Sequence, residues 1–413
     1  MKSVMAQSWP LFLGFALLMI GNGLQGTLLG LRATLENYDT TVIGLIMSCY
    51  FGGYLLGSLT TPKLLARVGH IRVFAALAAM ASICILLHGI FVHPLAWGII
   101  RIFSGLSFAG LYVVVESWLN DLAQSGTRGR ILSIYMMLSH GGLAAGQLLL
   151  PVADPQQMEL FVIIAILISL ALLPIALIPR SAPNFAAPTR LGLRALFRAS
   201  PLGVVATACA GVLGAVALGI GPVYAAQTGL QAHQIGLFIA SIILGGMISQ
   251  LPMGWLSDRF DHRKMILATS CVGATMAALC AIGNPAQFPG ILAVILYGGM
   301  AMPLYGLAIT HTNDHLRPDQ FVSASASMLI YNGIGACLGP TVAAALMDMF
   351  GPHAFFAFIA VTFAALAVFV LHRMRMRAPV PLDEQQKLVP MPRQSTILTG
   401  LLFPRRKPDD NQQ

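Results

Sequence analysis

GWLSDRFDHRK, Gly254 to Lys264, is the stretch whose reading decides the fold. Long apolar runs flank it, yet it holds two acids and three fixed cations in eleven residues of a chain only 9% charged. A turn this charged cannot lie in hydrocarbon, so it marks a membrane surface. A weaker copy, PKLLARVGHIR, runs from Pro62 to Arg72, at an offset of 192 residues. Two copies of one surface turn, nearly half a chain apart, predict a duplicated helical bundle.

Composition agrees with that reading. Hydrophobic residues make up 57% of the chain and mean hydropathy is +0.78, whereas soluble proteins are about 25% charged. The chain is therefore expected to cross a membrane many times. Residues 1–8 carry one Lys and no small-residue cleavage site, so the first apolar run is expected to be a retained span. The net charge of +9 would suit a nucleic-acid partner until the cations are placed along the chain. Of 24 Lys and Arg, 22 fall in segments that alternate topology puts on one side, the exceptions being Arg32 and Arg101. This positive-inside pattern places both termini in the cytoplasm, and nucleic acid is not needed to explain the charge. The six cysteines lie in apolar runs without ligand spacing and read as packing residues; no metal or cofactor is expected.

A span needs about 20 apolar residues, and twelve ranges qualify: 9–31, 41–63, 73–92, 96–118, 131–151, 158–178, 201–224, 234–256, 264–283, 289–311, 322–347 and 353–371. The expected fold is an all-α membrane protein with twelve transmembrane helices in two pseudo-symmetric six-helix bundles, residues 1–178 and 201–372. Residues 179–200, rich in Pro and Arg, read as a cytoplasmic linker, and 373–413 as a disordered cytoplasmic tail. Gly105, Tyr112, Asn120, Asp121, Gly142 and Gly146 recur 193 residues later as Gly298, Tyr305, Asn313, Asp314, Gly335 and Gly339. A parallel repeat of this kind puts the substrate site between the halves, near the midplane.

The motifs resemble those of the major facilitator superfamily. Gly254, Asp258, Arg259 and Arg263 match its G-x-x-x-D-R-x-G-R-R/K signature, with Asp261 in place of the second Gly; the first copy keeps Arg67 and Gly69 but has Pro62 and Ala66 for the leading Gly and the Asp. Arg101 and Gly105 match the R-x-x-x-G of the fourth helix, while VVVESWLND (113–121), RGRILSIYMM (128–137) and GQLLLP (146–151) resemble the YcaD-like branch of bacterial inner-membrane transporters. The resemblance implies a cytoplasmic gate of Arg67, Glu116, Arg130, Gly254, Asp258, Arg259 and Arg263, in which Glu116 ties the fourth helix to the turn between the second and third. Helix-end physics points the same way for the second turn: Arg259 and Arg263 can offset unpaired carbonyls, Asp258 can face a helix N-terminus, and Gly254 can admit a second backbone.

Polar residues inside the spans supply the substrate candidates. Arg101 lies about five residues inside the fourth helix, where a guanidinium costs about 2.5–3.5 kcal/mol, so it either lines a water-filled cavity or snorkels outward. Tyr112 shares its face. Asn22 and Gln25 face one way on the first helix and either line the cavity or join helices. His140 and Gln147 share a face of the fifth helix, and His140 is a proton-coupling candidate or a satisfied interhelical histidine. Tyr305, after a kink at Pro303, and Asn332 complete the set. HTNDH (311–315) has metal-ligand spacing but reads as a solvated helix end, and GPVY (221–224) and GACLGP (335–340) read as helix interruptions. No phosphate loop, nucleophile with its base, or carboxylate pair appears, so an enzyme is not expected. The expected function is secondary transport of a small organic, anionic or amphiphilic solute across the inner membrane by a monomer. Protons are the candidate coupling ion. An uncoupled facilitator of the same fold and, more remotely, a non-transporting receptor are the alternatives.

Overall fold

The computed structural model describes residues 2–122, 128–177, 191–283, 288–382 and 384–386. The first set of helices comprises α1 (Lys2–Leu35), α2 (Thr40–Val68), α3 (His70–Ile90), α4 (Pro94–Leu122), α5 (Arg128–Gln147) and α6 (Glu159–Ala176). A short helix, α7 (Leu193–Ala199), precedes the second set: α8 (Pro201–Gly219), α9 (Gly221–Gln227), α10 (Ala232–Ser257), α11 (His262–Ile282), α12 (Phe288–Ala301), α13 (Leu304–Asn313), α14 (Phe321–Phe350) and α15 (Ala354–Met376). Among the described residues, eleven helical stretches are long and apolar enough to cross a membrane. The one expected span outside that number is α5, which Arg130, His140 and Gln147 make more polar and which packs between α1 and α10.

Within the first set, α1 packs on α5 and α6, α2 on α4, and α3 on α4 and α6. Within the second, α8 packs on α13 and α14, α10 on α12, and α11 on α12 and α15. Contact between the sets runs chiefly along α2 and α14, with α5 against α10 beside it.

Glycine sets the closest of these approaches, and it does so at the repeat's own spacing. A methyl group at Gly53 would overlap the Ile102 carbonyl oxygen, and one at Gly105 would overlap that of Tyr50, so α2 and α4 meet backbone to backbone. In the second set Gly245 meets Ile295 and Gly298 meets Ile242 in the same fashion. In lipid, where tails are as apolar as leucine, such close packing is what holds helices together.

Several expectations need correction. GPVY does break a helix, between α8 and α9, but α14 runs unbroken through Pro340. The carbonyl of Pro340 lies against Gly44 of α2, and Gly339 packs on Val212 of α8, so flanking helices hold the proline in line. The residues after 372 do not form a free tail throughout: α15 continues to Met376, and the chain then folds back, where Arg377 Nη1 donates to Ala199 O at 3.1 Å and Gln386 N to Asp314 Oδ1 at 2.8 Å. Residues 387–413, and 178–190, which include the first half of the expected linker, lie outside the described residues.

Gly105→Ala or Gly298→Ala is expected to cost about 1–3 kcal/mol through overpacking, read as a lower melting temperature in detergent. Gly254→Ala should leave it unchanged, because among the described residues nothing lies within 4 Å of the added methyl.

Candidate functional site

The two sets are joined by a helix cap. The first amides of α2 are not capped by the side chain of Asp39, their own N-cap residue. Instead Asp348, near the end of α14, accepts from Thr40 N at 3.2 Å and Thr41 N at 2.7 Å, and also from Thr41 Oγ1. A carboxylate at a helix N-terminus meets both the unpaired amides and the positive end of the dipole. Gln227 Nε2 donates to Thr40 Oγ1 at 2.9 Å, and Ser48 Oγ lies 2.8 Å from Thr341 Oγ1 one step further in.

Deeper in, a cavity opens between the sets, bordered by Asn22, Tyr50, Arg101 and Gln147 on one side and by Leu218 and Ile239 on the other. Arg101 turns into this wall and is 4% exposed. Its guanidinium carbon lies 4.3 Å from the Tyr50 ring centroid, and Nη2 is 3.4 Å from Met47 Sδ. Its buried Nε has no hydrogen-bond partner among the described residues. A desolvated cation–π contact is worth about 2 kcal/mol, less than the about 2.5–3.5 kcal/mol cost of a cation in mid-membrane. The site is therefore left short of negative charge.

Most of the other polar candidates join helices. Gln25 Nε2 donates to Ser104 Oγ at 2.7 Å, and Asn22 Nδ2 reaches Tyr112 Oη at 3.5 Å, both bridging α1 to α4. Gln147 accepts from Thr27 Oγ1 at 2.6 Å and donates to Gly23 O at 2.8 Å, fastening α5 to α1. Tyr112 donates to Met19 Sδ at 3.0 Å. His140 Nε2 lies 3.4 Å from Gln250 Nε2, a link between the sets, and its Nδ1 is 3.0 Å from Met136 O. Asn332 donates to Thr207 O at 3.2 Å, and Tyr305 is fully buried with its hydroxyl unpartnered among the described residues. Sequence reasoning missed Tyr50, Phe51 and Tyr54, although CYFGGYLLG (49–57) carries two tyrosines one helical turn apart within an apolar run.

The expected gate residues sit as follows. Glu116 is fully buried and accepts from Tyr135 Oη at 2.7 Å, while Arg67 and Arg130 are exposed. Asp258 is exposed at the end of α10, and Arg259 stacks on Trp255 with its guanidinium carbon 3.6 Å from the ring centroid. Among the described residues nothing lies within 4 Å of a methyl placed at Gly254. Arg263 binds Asp261 at 2.7 Å and donates to Arg377 O at 2.8 Å. Asp261 also caps α11 by accepting from Arg263 N at 2.9 Å, whereas Gly69, its counterpart in the first copy, makes its turn with φ +89°. Burial alone would raise the Asp261 carboxyl, but the hydrogen bonds and charge of Arg263 outweigh it and hold the carboxyl below its ordinary range. HTNDH is not a solvated helix end: His311 is 5% exposed, Asp314 Oδ2 lies 2.6 Å from His262 Nδ1, and Asp314 Oδ1 accepts from Gln386 N. Among the described residues no group of three His, Cys, Asp or Glu is arranged to hold a metal ion.

Spanning helices in two sets, joined at one end and enclosing a cavity with a buried cation, define a polytopic membrane protein. The chain belongs to the Major Facilitator Superfamily, matched over residues 11–230 and 203–408. It is similar to an uncharacterized MFS-type transporter of Enterobacter sp. (strain 638), 29% identical over 374 residues, which are 90% of this chain and 96% of that one. The uncharacterized MFS-type transporter YcaD of Escherichia fergusonii is 28% identical over 371 residues, 89% of this chain and 96% of that one. Among solved structures, the nucleoside transporter NupG superposes with a TM-score of 0.73 at 15% identity, over 90% of this chain and 100% of that one. At that identity the likeness speaks for the fold alone.

Asp348→Ala removes the cap from α2, at a cost of about 0.5–2 kcal/mol. Spin labels at Asn37 and Phe350 should then report a longer or broader distance; an unchanged distribution would count against the clamp. Asp261→Asn should lower the melting temperature at pH 7. Because the folded carboxyl titrates lower than the unfolded one, its stabilisation is complete above about pH 3.9 and disappears as pH falls through the folded value. Wild type and variant should therefore converge in acid.

Proposed function

We propose that this chain is a twelve-helix secondary transporter of the YcaD-like branch, with α5 as the twelfth span, working by alternating access between two six-helix bundles. The proposal places it in a bacterial inner membrane as a monomer, with both termini in the cytoplasm. Its solute is a small organic molecule bearing an anionic group, which Arg101 receives. The observation that carries this reading is Arg101 itself, a buried guanidinium on a cavity wall with an aromatic ring and a thioether beside it in place of a carboxylate. The matched position of the relatives named as transporters over nine-tenths of this chain supports the transport part.

Asp348 at one end, and Glu116, Asp258 and Arg259 at the other, are the proposed gates. His140 is the proposed proton carrier, because its link to Gln250 spans the two sets and histidine is the side chain whose ordinary titration lies nearest neutral pH.

In proteoliposomes, counterflow of radiolabelled benzoate should exceed that of protein-free liposomes, and Arg101→Gln should reduce it at least tenfold. Equal rates with and without protein for benzoate and other small carboxylates would overturn the anion assignment. With an acidic exterior, uptake should collapse with the proton gradient in wild type, and His140→Gln should remove that dependence.

A further inference from the structure

The central cavity has a second compartment, and its walls differ from those around Arg101. It lies between α2, α8 and α14, where Gly211, Gly214, Ala215 and Ala336 form one face and Leu55 and Leu329 close the sides. Phe51 and Leu218 border both compartments, so the two adjoin across one phenyl ring.

Few hydrogen-bonding groups remain free in either space. Near Arg101, Gln147 and Thr27 bind each other, and the Gln147 amide is used on Gly23. In the second compartment, Ser58 Oγ donates to Leu55 O at 2.8 Å, and the Asn332 amide goes to Thr207 O. The Tyr54 hydroxyl, on a side chain 8% exposed, stays unpartnered among the described residues. A solute rich in hydroxyls would leave most of its own groups unpaired here, each costing more than it gains. A wall of Gly and Ala beside a phenyl ring is flat, apolar and suited to stacking.

We propose that the transported solute is an aromatic or fused-ring carboxylate, its anionic group on Arg101 and its flat body past Phe51 in the small-residue compartment. This rests on the transport reading above and narrows it: sugars, hydroxy acids and short flexible acids are excluded as preferred solutes. Phe51 is the specificity-determining side chain, because it separates the space for charge from the space for the ring. Ala215 and Ala336 set the depth of the second compartment, being 2% and 6% exposed on its walls.

The test uses the full-length protein in detergent, with 2-naphthoate, benzoate, hexanoate, gluconate and the neutral 2-naphthamide as thermal-shift and calorimetric probes. Binding is expected to be tightest for 2-naphthoate, at least tenfold tighter than for gluconate, hexanoate or 2-naphthamide. Arg101→Gln should abolish the preference for 2-naphthoate over 2-naphthamide. Ala215→Leu should weaken 2-naphthoate at least tenfold and benzoate by less than threefold, and Ala336→Leu repeats the measurement if the first variant does not fold. Gluconate or hexanoate binding as tightly as 2-naphthoate would overturn the proposal, as would wild-type 2-naphthoate binding in a folded, space-filling variant. Arg101-dependent transport of gluconate would leave the transporter reading standing and defeat this one. Naphthoate binding as described, with no flux in proteoliposomes, would do the reverse.

Discussion

Backbone contact between α2 and α4 is the constraint on which the rest of this structure depends. Gly53 lies on Ile102 and Gly105 on Tyr50, so each helix supplies the gap that the other fills. A side chain at either place would push the helices apart, and no hydrophobic effect between helices would draw them back in a lipid solvent. The contact fixes the face of α2 that carries Tyr50, Phe51 and Tyr54, and it sets Arg101 of α4 beside Tyr50. Equivalent contacts at Gly245 and Gly298 build the facing set by the same means.

Once the helices are that close, the polar residues inside them are largely committed to one another. Gln25, Thr27, Gln147 and Asn332 each satisfy a neighbouring helix, as groups removed from water must. This is why a cavity with many polar residues near its walls has few polar groups to offer a ligand. Arg101 stands apart because its neighbours are a ring and a sulfur atom. In the proposed function, selectivity therefore falls on one charge and on the shape of an apolar space.

Much of the fold was legible because its signals are periodic or compositional. Apolar length located eleven of the twelve expected spans, and glycines repeated at one offset fall where pairs of helices touch. Arg101 stood out because a cation in mid-span is left only a cavity or an outward snorkel. The partner chosen by each polar side chain was not legible, since it depends on contacts between residues far apart in sequence. Nothing in the chain announces that Asp348 caps a helix starting 308 residues earlier. His311 and Asp314 read as solvated because the segment that covers them, ending at Gln386, is polar and proline-rich and has no periodicity of its own. Tyr50 and Tyr54 were passed over because aromatic residues in an apolar run carry no mark of which face looks onto a cavity.

The cap on α2 has a mechanical side. Thr40 and Thr41, which Asp348 holds, and Tyr50, which lies on Arg101, belong to one uninterrupted helix. They are about ten residues apart, or roughly 15 Å along the axis. A rod held at one end by a carboxylate and bearing the proposed anion seat partway along is a lever, and any tilt that follows release of its tip also shifts the ring beneath the guanidinium. Occupancy of the seat and grip on the tip are thereby two loads on one beam, and no relay of intervening side chains is needed for each to feel the other.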